Sequence, residues 1–149
     1  IFDRKCLDKR LDVGVFQTHF LKENIHISGI PTLRISLISD QESFDICAAL
    51  SIIENDEKKV NQFSTGFLRV KKAIINNEAS YEVKFHPTNI TLLKGCKLRL
   101  SIAASAWPAI GVNPGHSDSN FTYVSIDHKI ITLNFNLKNA IMKIAPFFK

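Results

Sequence analysis

The sequence predicts an all-β protein built from two antiparallel sheets packed as a sandwich. Three observations support this fold class. Apolar and polar residues alternate with period two over most of the chain, and the alternating segments are short. Turn-forming pairs separate them, as at Ser28-Gly29, Asn76-Asn77 and Lys94-Gly95. Each segment has one apolar face, so two sheets that close over each other are the simplest way to bury those faces.

Six segments alternate clearly and are predicted as strands: 31–39, 44–54, 66–72, 81–86, 97–103 and 129–135. A helical period could be applied only to weak segments such as 45–54, and alternation fits better there. The residues expected to face the core are, in chain order, Leu33, Ile35 and Leu37; Ile46, Ala48, Leu50 and Ile52; Leu68 and Val70; Tyr81, Val83 and Phe85; Leu98, Leu100 and Ile102; and Ile131, Leu133 and Phe135.

Five further segments alternate more weakly and complete a set of ten or eleven short strands. They are 13–18, 24–28, 90–93, 121–126 and 140–144. Such a number of strands is enough for two sheets with one core between them.

The length of 149 residues fits a single domain, which we expect to span residues 11–149. Residues 1–10 are charged and do not alternate, so they are interpreted as a linker remnant or a first edge segment. Hydrophobic residues make up 45% of the chain and charged residues 22%, which excludes a disordered or collagen-like class. Because the chain starts at Ile1 and its one methionine is Met142, we expect a piece of a larger protein or a processed form.

The net charge of +5 raises the question of nucleic-acid or membrane binding, and neither partner is expected. The basic residues are dispersed, no aromatic residues are interleaved with them, and the longest apolar stretches are too short to span a membrane. The cysteines Cys6, Cys47 and Cys96 are odd in number and widely spaced, which argues against a disulfide framework or a zinc site. Free thiols suit a reducing compartment, so a cytoplasmic location is expected.

The longest interval without a strand signal, 105–120, contains the candidate contact residues. Trp107, Pro108, Asn113 and Pro114 lie within it, and Trp107 is the single tryptophan of the chain. Prolines restrict the backbone, and a long ordered loop in a small domain is commonly functional or a contact surface. We therefore expect these four residues to contact another domain or to line a substrate pocket.

No catalytic centre, metal site or cofactor is expected. The sequence Gly115-His116-Ser117-Asp118-Ser119 approaches the Gly-x-Ser-x-Gly nucleophile motif but lacks its second glycine and a preceding apolar strand. The five histidines are not spaced as metal ligands, and no glycine-rich phosphate loop occurs.

The order of these segments resembles the C-terminal β-sandwich domain of the X-prolyl dipeptidyl peptidase, cocaine esterase and acyl esterase family of serine hydrolases. The resemblance extends from about Asp12 to Ile144. The residues that carry it are Asp12-Val13-Gly14-Val15-Phe16-Gln17-Thr18 with Leu21; Ile27-Ser28-Gly29-Ile30-Pro31-Thr32-Leu33-Arg34-Ile35; Ser39-Asp40 with Phe44-Asp45-Ile46; Ser64-Thr65-Gly66-Phe67-Leu68-Arg69; Tyr81-Glu82-Val83 with Pro87-Thr88; Lys94-Gly95-Cys96-Lys97-Leu98-Arg99-Leu100-Ser101-Ile102; and Trp107-Pro108 with Asn113-Pro114.

The resemblance implies a jelly-roll sandwich of the galactose-binding-like kind that follows an α/β-hydrolase domain in the same polypeptide. That domain would carry the Ser-Asp-His triad of a dipeptidyl peptidase or an acyl esterase, and no triad residue maps onto this chain. The chain would then be a non-catalytic domain that packs on the hydrolase domain and walls its substrate pocket. A homo-oligomer formed through the longer protein is compatible with the resemblance.

Two other functions remain open on the sequence. The chain could be a free-standing carbohydrate- or ligand-binding module, since a jelly roll and an aromatic loop suit that role. It could also bind nucleic acid through its net positive charge, and such binding would weaken steeply with salt.

Overall fold

The computed structural model describes residues 2–56, 58–106, 109–117 and 127–144. These form ten strands and one 3₁₀ turn at Leu7–Lys9, and no α-helix occurs among them. The strands are β1 Phe2–Asp3, β2 Val13–Gln17, β3 Ile25–Gly29, β4 Thr32–Ser39, β5 Phe44–Ile53, β6 Val60–Val70, β7 Ala79–Lys84, β8 Thr88–Leu92, β9 Lys97–Ala103 and β10 Leu133–Lys143. No helix in this part of the chain is long and apolar enough to cross a membrane.

All strand pairs are antiparallel. A five-stranded sheet has the order β1-β6-β5-β9-β2, and a three-stranded sheet has the order β10-β4-β7. Strands β3 and β8 form a separate pair that continues the β4–β7 ladder across Pro31. Proline has no N–H to donate to a ladder, and here its carbonyl accepts the Phe85 amide at 2.9 Å.

The core lies between the five-stranded sheet and the three-stranded sheet. Its centre is formed by inward-facing residues of β4, β5, β7 and β9 together with Phe85: Leu33, Ile35, Leu37, Phe44, Ile46, Ala48, Leu50, Val83, Phe85 and Ile102. Tyr81 packs edge-on against Phe44, with ring centroids 5.4 Å apart. The predicted all-β antiparallel sandwich is confirmed.

Most predicted strands are present, and the boundaries differ where the ladder is irregular. Strand β6 begins at Val60, six residues before the predicted segment 66–72, because the register shifts opposite Leu50 and Ser51. The extra residue of a bulge interrupts the period-two pattern that would identify a strand. Likewise, the segments predicted at 129–135 and 140–144 are one strand, β10, whose register shifts between Asn136 and Ile141, and residues 129–132 precede it. The segment predicted at 121–126 lies outside the described residues.

Strand β5 departs from the predicted alternation because both of its faces are covered. Ile46, Ala48 and Leu50 face the core as expected, and Asp45 and Cys47 on the opposite face are also buried. A central strand loses its alternating exposure when another part of the chain covers its outer face.

Residues 2–10 lie against this outer face. Strand β1 pairs with β6 at the sheet edge, and the carboxylate of Asp8 accepts hydrogen bonds from Arg4 at 3.2 Å and from Arg99 of β9 at 3.1 Å. Arg4 also donates to Gln62 of β6 at 2.8 Å. These contacts tie the segment to two strands. Its place in the domain organisation of a longer chain stays a prediction.

Gly66 stands where β6 comes closest to the second layer. It pairs with Ala48 of β5 and also bridges to Phe85. A Cβ at this position would lie 2.8 Å from the carbonyl oxygen of Lys84 and 2.9 Å from a methyl group of Val83. Only a residue without a side chain permits this approach.

We therefore predict that Gly66→Ala lowers the free energy of unfolding by about 1–3 kcal/mol, the usual cost of overpacking. Urea unfolding followed by circular dichroism measures it. Gly14→Ala is the matched control, since its Cβ would meet a Phe16 ring atom at an ordinary 3.4 Å. Equal effects of the two substitutions would show that the contact at Gly66 is not limiting.

Candidate functional site

Of the four residues predicted to make contacts, two lie in the described part of the chain. Asn113 and Pro114 are buried within the sandwich, whereas Trp107 and Pro108 lie outside the described residues. Contact of these four residues with another domain or a substrate stays a prediction. The surroundings of Asn113 show how the segment that contains it is held.

Asp45 of β5 and Arg69 of β6 are direct partners in the ladder and form a bidentate ion pair. Arg69 Nε donates to Asp45 Oδ1 at 2.8 Å, and a terminal guanidinium nitrogen donates to Oδ2 at 2.7 Å. The Asp45 side chain is 2% exposed and that of Arg69 is 18% exposed. A paired geometry of this kind offsets part of the cost of taking a carboxylate out of water.

Asn113 completes this buried network. Its Nδ2 donates to Asp45 Oδ1 at 2.9 Å, and its Oδ1 accepts the Gly115 amide at 3.0 Å. The hydroxyl of Ser43 lies 3.1 Å from Asn113 Oδ1 and 3.1 Å from the Val70 carbonyl, so its single proton serves one of them at a time. Buried polar groups are therefore satisfied by residues far apart in sequence.

Arg69 extends the network to the backbone of the same segment. One guanidinium nitrogen donates to the Gly111 carbonyl at 2.6 Å. Gly115, with a φ of +90°, takes a backbone conformation that side chains disfavour, and it places its amide against Asn113. Residues 111–115 are thus fixed to β5 and β6 by side-chain hydrogen bonds in the absence of a strand ladder. We call the set Asp45, Arg69 and Asn113 the buried network.

The outer face of the five-stranded sheet continues from this network in regular rows. Ladder partners across four strands put Val13, Ala103, Cys47 and Phe67 in one row. The next row on the same face contains Val15, Ser101, Ala49 and Thr65. Six of these eight side chains are apolar, Ser101 and Thr65 being polar, so the floor of this face is mostly apolar.

A groove of about 700 Å³ lies on this face, and we call it the outer-face groove. Residues of the segment 2–10 border it on one side, and residues 103, 105 and 106 together with 109 and 110 border it on the other. Its apolar lining residues include Phe2, Leu7, Val13, Cys47, Ala49, Phe67, Ala103, Ala106, Ala109 and Ile110. Its charged and polar lining residues include Arg4, Arg10, Gln62, Thr65, Lys84, His86 and Ser105. Ala106 and Ala109 are the described neighbours of Trp107 and Pro108 in the chain.

Ser117 is hydrogen-bonded to Glu42. Its backbone amide and its hydroxyl both donate to Glu42 Oε1, at 2.9 and 3.1 Å. These hydrogen bonds hold the pKa of Glu42 below its usual value. A carboxylate with a lowered pKa is a weak base, so this pair is suited to fastening residue 117 to the turn after β4.

The described residues offer no site for a metal ion. No three His, Cys, Asp or Glu side chains among them lie close enough to hold one. His26 and His86 each place Nδ1 near a threonine hydroxyl, Thr91 at 2.9 Å and Thr65 at 3.1 Å. Cys6, Cys47 and Cys96 are free thiols.

Sequence reasoning identified Asn113 and Pro114 but not Asp45 or Arg69. Alternation assigned Asp45 to an outward-facing position of its strand, and nothing in the sequence fixed which residue of β6 would lie opposite. A polar residue in the middle of an otherwise apolar strand was the signal that could have prompted the search. Its burial depends on the loop that covers it, which local patterns do not reveal.

The buried network yields a stability prediction. Arg69→Met should lower the free energy of unfolding by about 3–5 kcal/mol, because it leaves the carboxylate of Asp45 buried without its cation. The matched control is Arg34→Met, since the Arg34–Glu82 pair is 54% and 42% exposed and should contribute less than about 1 kcal/mol. Urea unfolding measures both, and a similar loss in the two variants would contradict the assigned role.

Cys47 yields a reactivity prediction. Burial, followed by the nearby charge of Asp45, raises the pKa of its thiol to about 12. At pH 8 only about one thiol in ten thousand is then ionised, so Cys47 should not react with a disulfide reagent in the folded chain, whereas the exposed Cys6 should. In the Cys47→Ala variant, the number of thiols that react rapidly with the reagent should be the same as in the parent chain. A fast phase that disappears in this variant would show that the outer face opens.

The chain matches the family model described as the X-Pro dipeptidyl-peptidase C-terminal non-catalytic domain over residues 2–135. Among curated proteins, none matches it. Solved structures with a similar fold include an aminopeptidase from the marine sediment archaeon Thaumarchaeota archaeon, with a TM-score of 0.88, 17% identity, and coverage of 98% of this chain and 27% of that one.

An α-amino acid ester hydrolase aligns with a TM-score of 0.87 and 17% identity, covering 97% of this chain and 27% of that one. A CocE/NonD family hydrolase from Staphylococcus aureus aligns with a TM-score of 0.59 and 13% identity, covering 89% and 33%. At these identities the likeness concerns the fold alone, and this chain spans about a quarter to a third of each of these structures. By the family match, the chain belongs to the X-Pro dipeptidyl-peptidase C-terminal non-catalytic domains.

Proposed function

We propose that this chain is the C-terminal β-sandwich of a longer α/β-hydrolase of the X-Pro dipeptidyl peptidase or acyl esterase kind. In that protein it packs on the hydrolase domain and walls part of the substrate pocket. The observation that carries the proposal is the family match over residues 2–135. In two similar structures, the matching domain makes up about a quarter of the chain.

The chemistry of the described residues agrees with a supporting role. The polar side chains that are buried, Asp45 and Asn113 above all, are occupied with each other and with the backbone. Ser117 faces a carboxylate whose pKa is lowered, which is a poor base for activating a hydroxyl. The residues that organise the 111–115 segment therefore stabilise a shape and perform no reaction.

The segment from Trp107 to Pro114 is the part that we propose to contact the hydrolase domain or its substrate. Support comes from Asn113 and Pro114, which anchor one end of the segment in the sandwich. The other end follows Ala106 on the wall of the outer-face groove. An anchored loop beside an apolar groove can present a rigid surface to a partner.

The assignment as a jelly roll of the galactose-binding-like kind, a cytoplasmic location and a homo-oligomer formed through the longer protein belong to the same proposal. The crossing connections that place β9 beside β5 and β10 beside β4 are compatible with a jelly roll. The three free cysteines are compatible with a reducing compartment.

A second candidate, a ligand-binding module, is favoured by the size of the outer-face groove. Its apolar floor suits a sugar poorly, because sugar recognition needs several hydrogen-bonding side chains. Titration with a panel of sugars, followed by the fluorescence of the single tryptophan, separates the candidates. A saturable change with one sugar would favour the module, and no change across the panel would remove it.

The proposed function predicts no turnover by the 149-residue chain. Hydrolysis of p-nitrophenyl esters and of X-Pro anilides should equal the background rate, because the nucleophile and its base are expected on the hydrolase domain. The Ser117→Ala variant is the control. Activity above background that this variant loses would contradict the proposal, and it would place a catalytic centre in the chain itself.

A further inference from the structure

The two outer faces of the sandwich differ in chemistry. On the three-stranded sheet, most outward-facing residues are polar or charged: Arg34 pairs with Glu82, and Ser36 stands between Ser80 and Asn136. Ile38, opposite Asn134, and Ile141, opposite Arg34 and 48% exposed, are apolar positions of this face.

On the five-stranded sheet, the rows through Cys47 and Ala49 present the opposite character. Phe67, Val15 and Phe2 are large hydrophobic residues of this face or its edge, and they are 40%, 36% and 54% exposed. The outer-face groove adds an apolar depression between them. Exposed apolar side chains gathered around such a depression mark an interaction surface.

The rim of the groove is positively charged. Arg4, Arg10 and Lys84 line it, and no Asp or Glu does so among the described residues. The guanidinium of Arg10 forms two hydrogen bonds with the Asp12 carboxylate beside the groove, so its charge is offset, and the net positive charge rests on Lys84 and on the cluster around Arg4. Arg4 shares the one carboxylate of Asp8 with Arg99, so that cluster retains net positive charge. A partner complementary to this face would be apolar at its centre and would carry carboxylates at its margin. A second copy of the same face would bring cations against cations.

We propose that the outer face of the five-stranded sheet, with the outer-face groove at its centre, is the surface that docks the α/β-hydrolase domain of the same polypeptide. The docked patch is apolar and bears carboxylates that meet Arg4 and Lys84. This inference rests on the proposed function and adds to it which face is used and what the partner surface looks like.

The test uses the full-length polypeptide with single reporter cysteines, in a background where Cys6 and Cys96 are replaced by serine. Phe67→Cys reports on the five-stranded sheet. Ser80→Cys, at an exposed site of β7 on the other outer face, is the matched control. The measurement is the rate of maleimide labelling, compared with the same variants in the 149-residue chain. Circular dichroism confirms that each variant is folded.

We expect labelling at position 67 to be roughly tenfold or more slower in the full-length polypeptide than in the 149-residue chain, since an interface excludes the reagent. Labelling at position 80 should be unchanged. Slow labelling at 80 with fast labelling at 67 would overturn this inference while leaving the proposed function standing. Fast labelling at both sites would also overturn this inference, and it would restrict any packing on the hydrolase domain to the loops and sheet edges. Protection at 67 that appears already in the 149-residue chain and rises with its concentration would identify a second copy as the occupant and overturn the proposal.

The charge of the docked patch is tested with Phe67→Glu and Phe67→Lys, each combined with the reporter Val15→Cys. Both substitutions remove the same aromatic ring, so they differ in the charge that they present. If the partner surface bears carboxylates, Phe67→Glu should weaken docking more than Phe67→Lys does. The cysteine at position 15 should then be labelled faster in the Phe67→Glu variant. Equal labelling rates in the two variants would contradict the proposal that the docked patch bears carboxylates.

Discussion

The ion pair between Asp45 and Arg69 is the interaction on which the arrangement of this domain depends. It joins the two longest-paired strands of the five-stranded sheet at a point where the sheet is covered by a segment with no ladder of its own. A buried carboxylate needs its charge and its lone pairs satisfied, and the guanidinium and the Asn113 amide satisfy them together. The segment 111–115 is consequently held by Arg69 and Asn113, the same residues that satisfy the Asp45 carboxylate.

From this constraint follows the character of the outer face. Beside the ion pair, the side chains become small and apolar, and Cys47, Ala49 and Ala103 form a floor. This floor lies between the segment 2–10 and the residues 105, 106, 109 and 110. At the other end of the groove, the Asp8 carboxylate accepts hydrogen bonds from Arg4 and Arg99 and so holds the segment 2–10 against the sheet. The groove is therefore bounded by two charged clusters that hold its walls.

The sequence was a good guide to the strands and a poor guide to what covers them. Alternation found β4, β5 and β9 almost to the residue, because each has a strictly apolar inner face over seven or more positions. It failed at β6 and β10, where register shifts insert residues that break the period. Asn113 and Pro114 were singled out from the composition of their loop, whereas Asp45 and Arg69 became recognisable as partners only through the register. Side chains that meet across 24 and 68 residues leave no local pattern.

The role of the buried network is tested most directly by native-state hydrogen exchange at the Gly115 amide, which donates to the buried Asn113 side chain. If the network holds the segment, this amide is protected in the parent chain, and Asn113→Ala raises its exchange rate by roughly tenfold or more while leaving the β5 amides protected. Exchange of the Gly115 amide at the rate of an unstructured peptide in the parent chain would contradict this role, as would a rate that Asn113→Ala does not change.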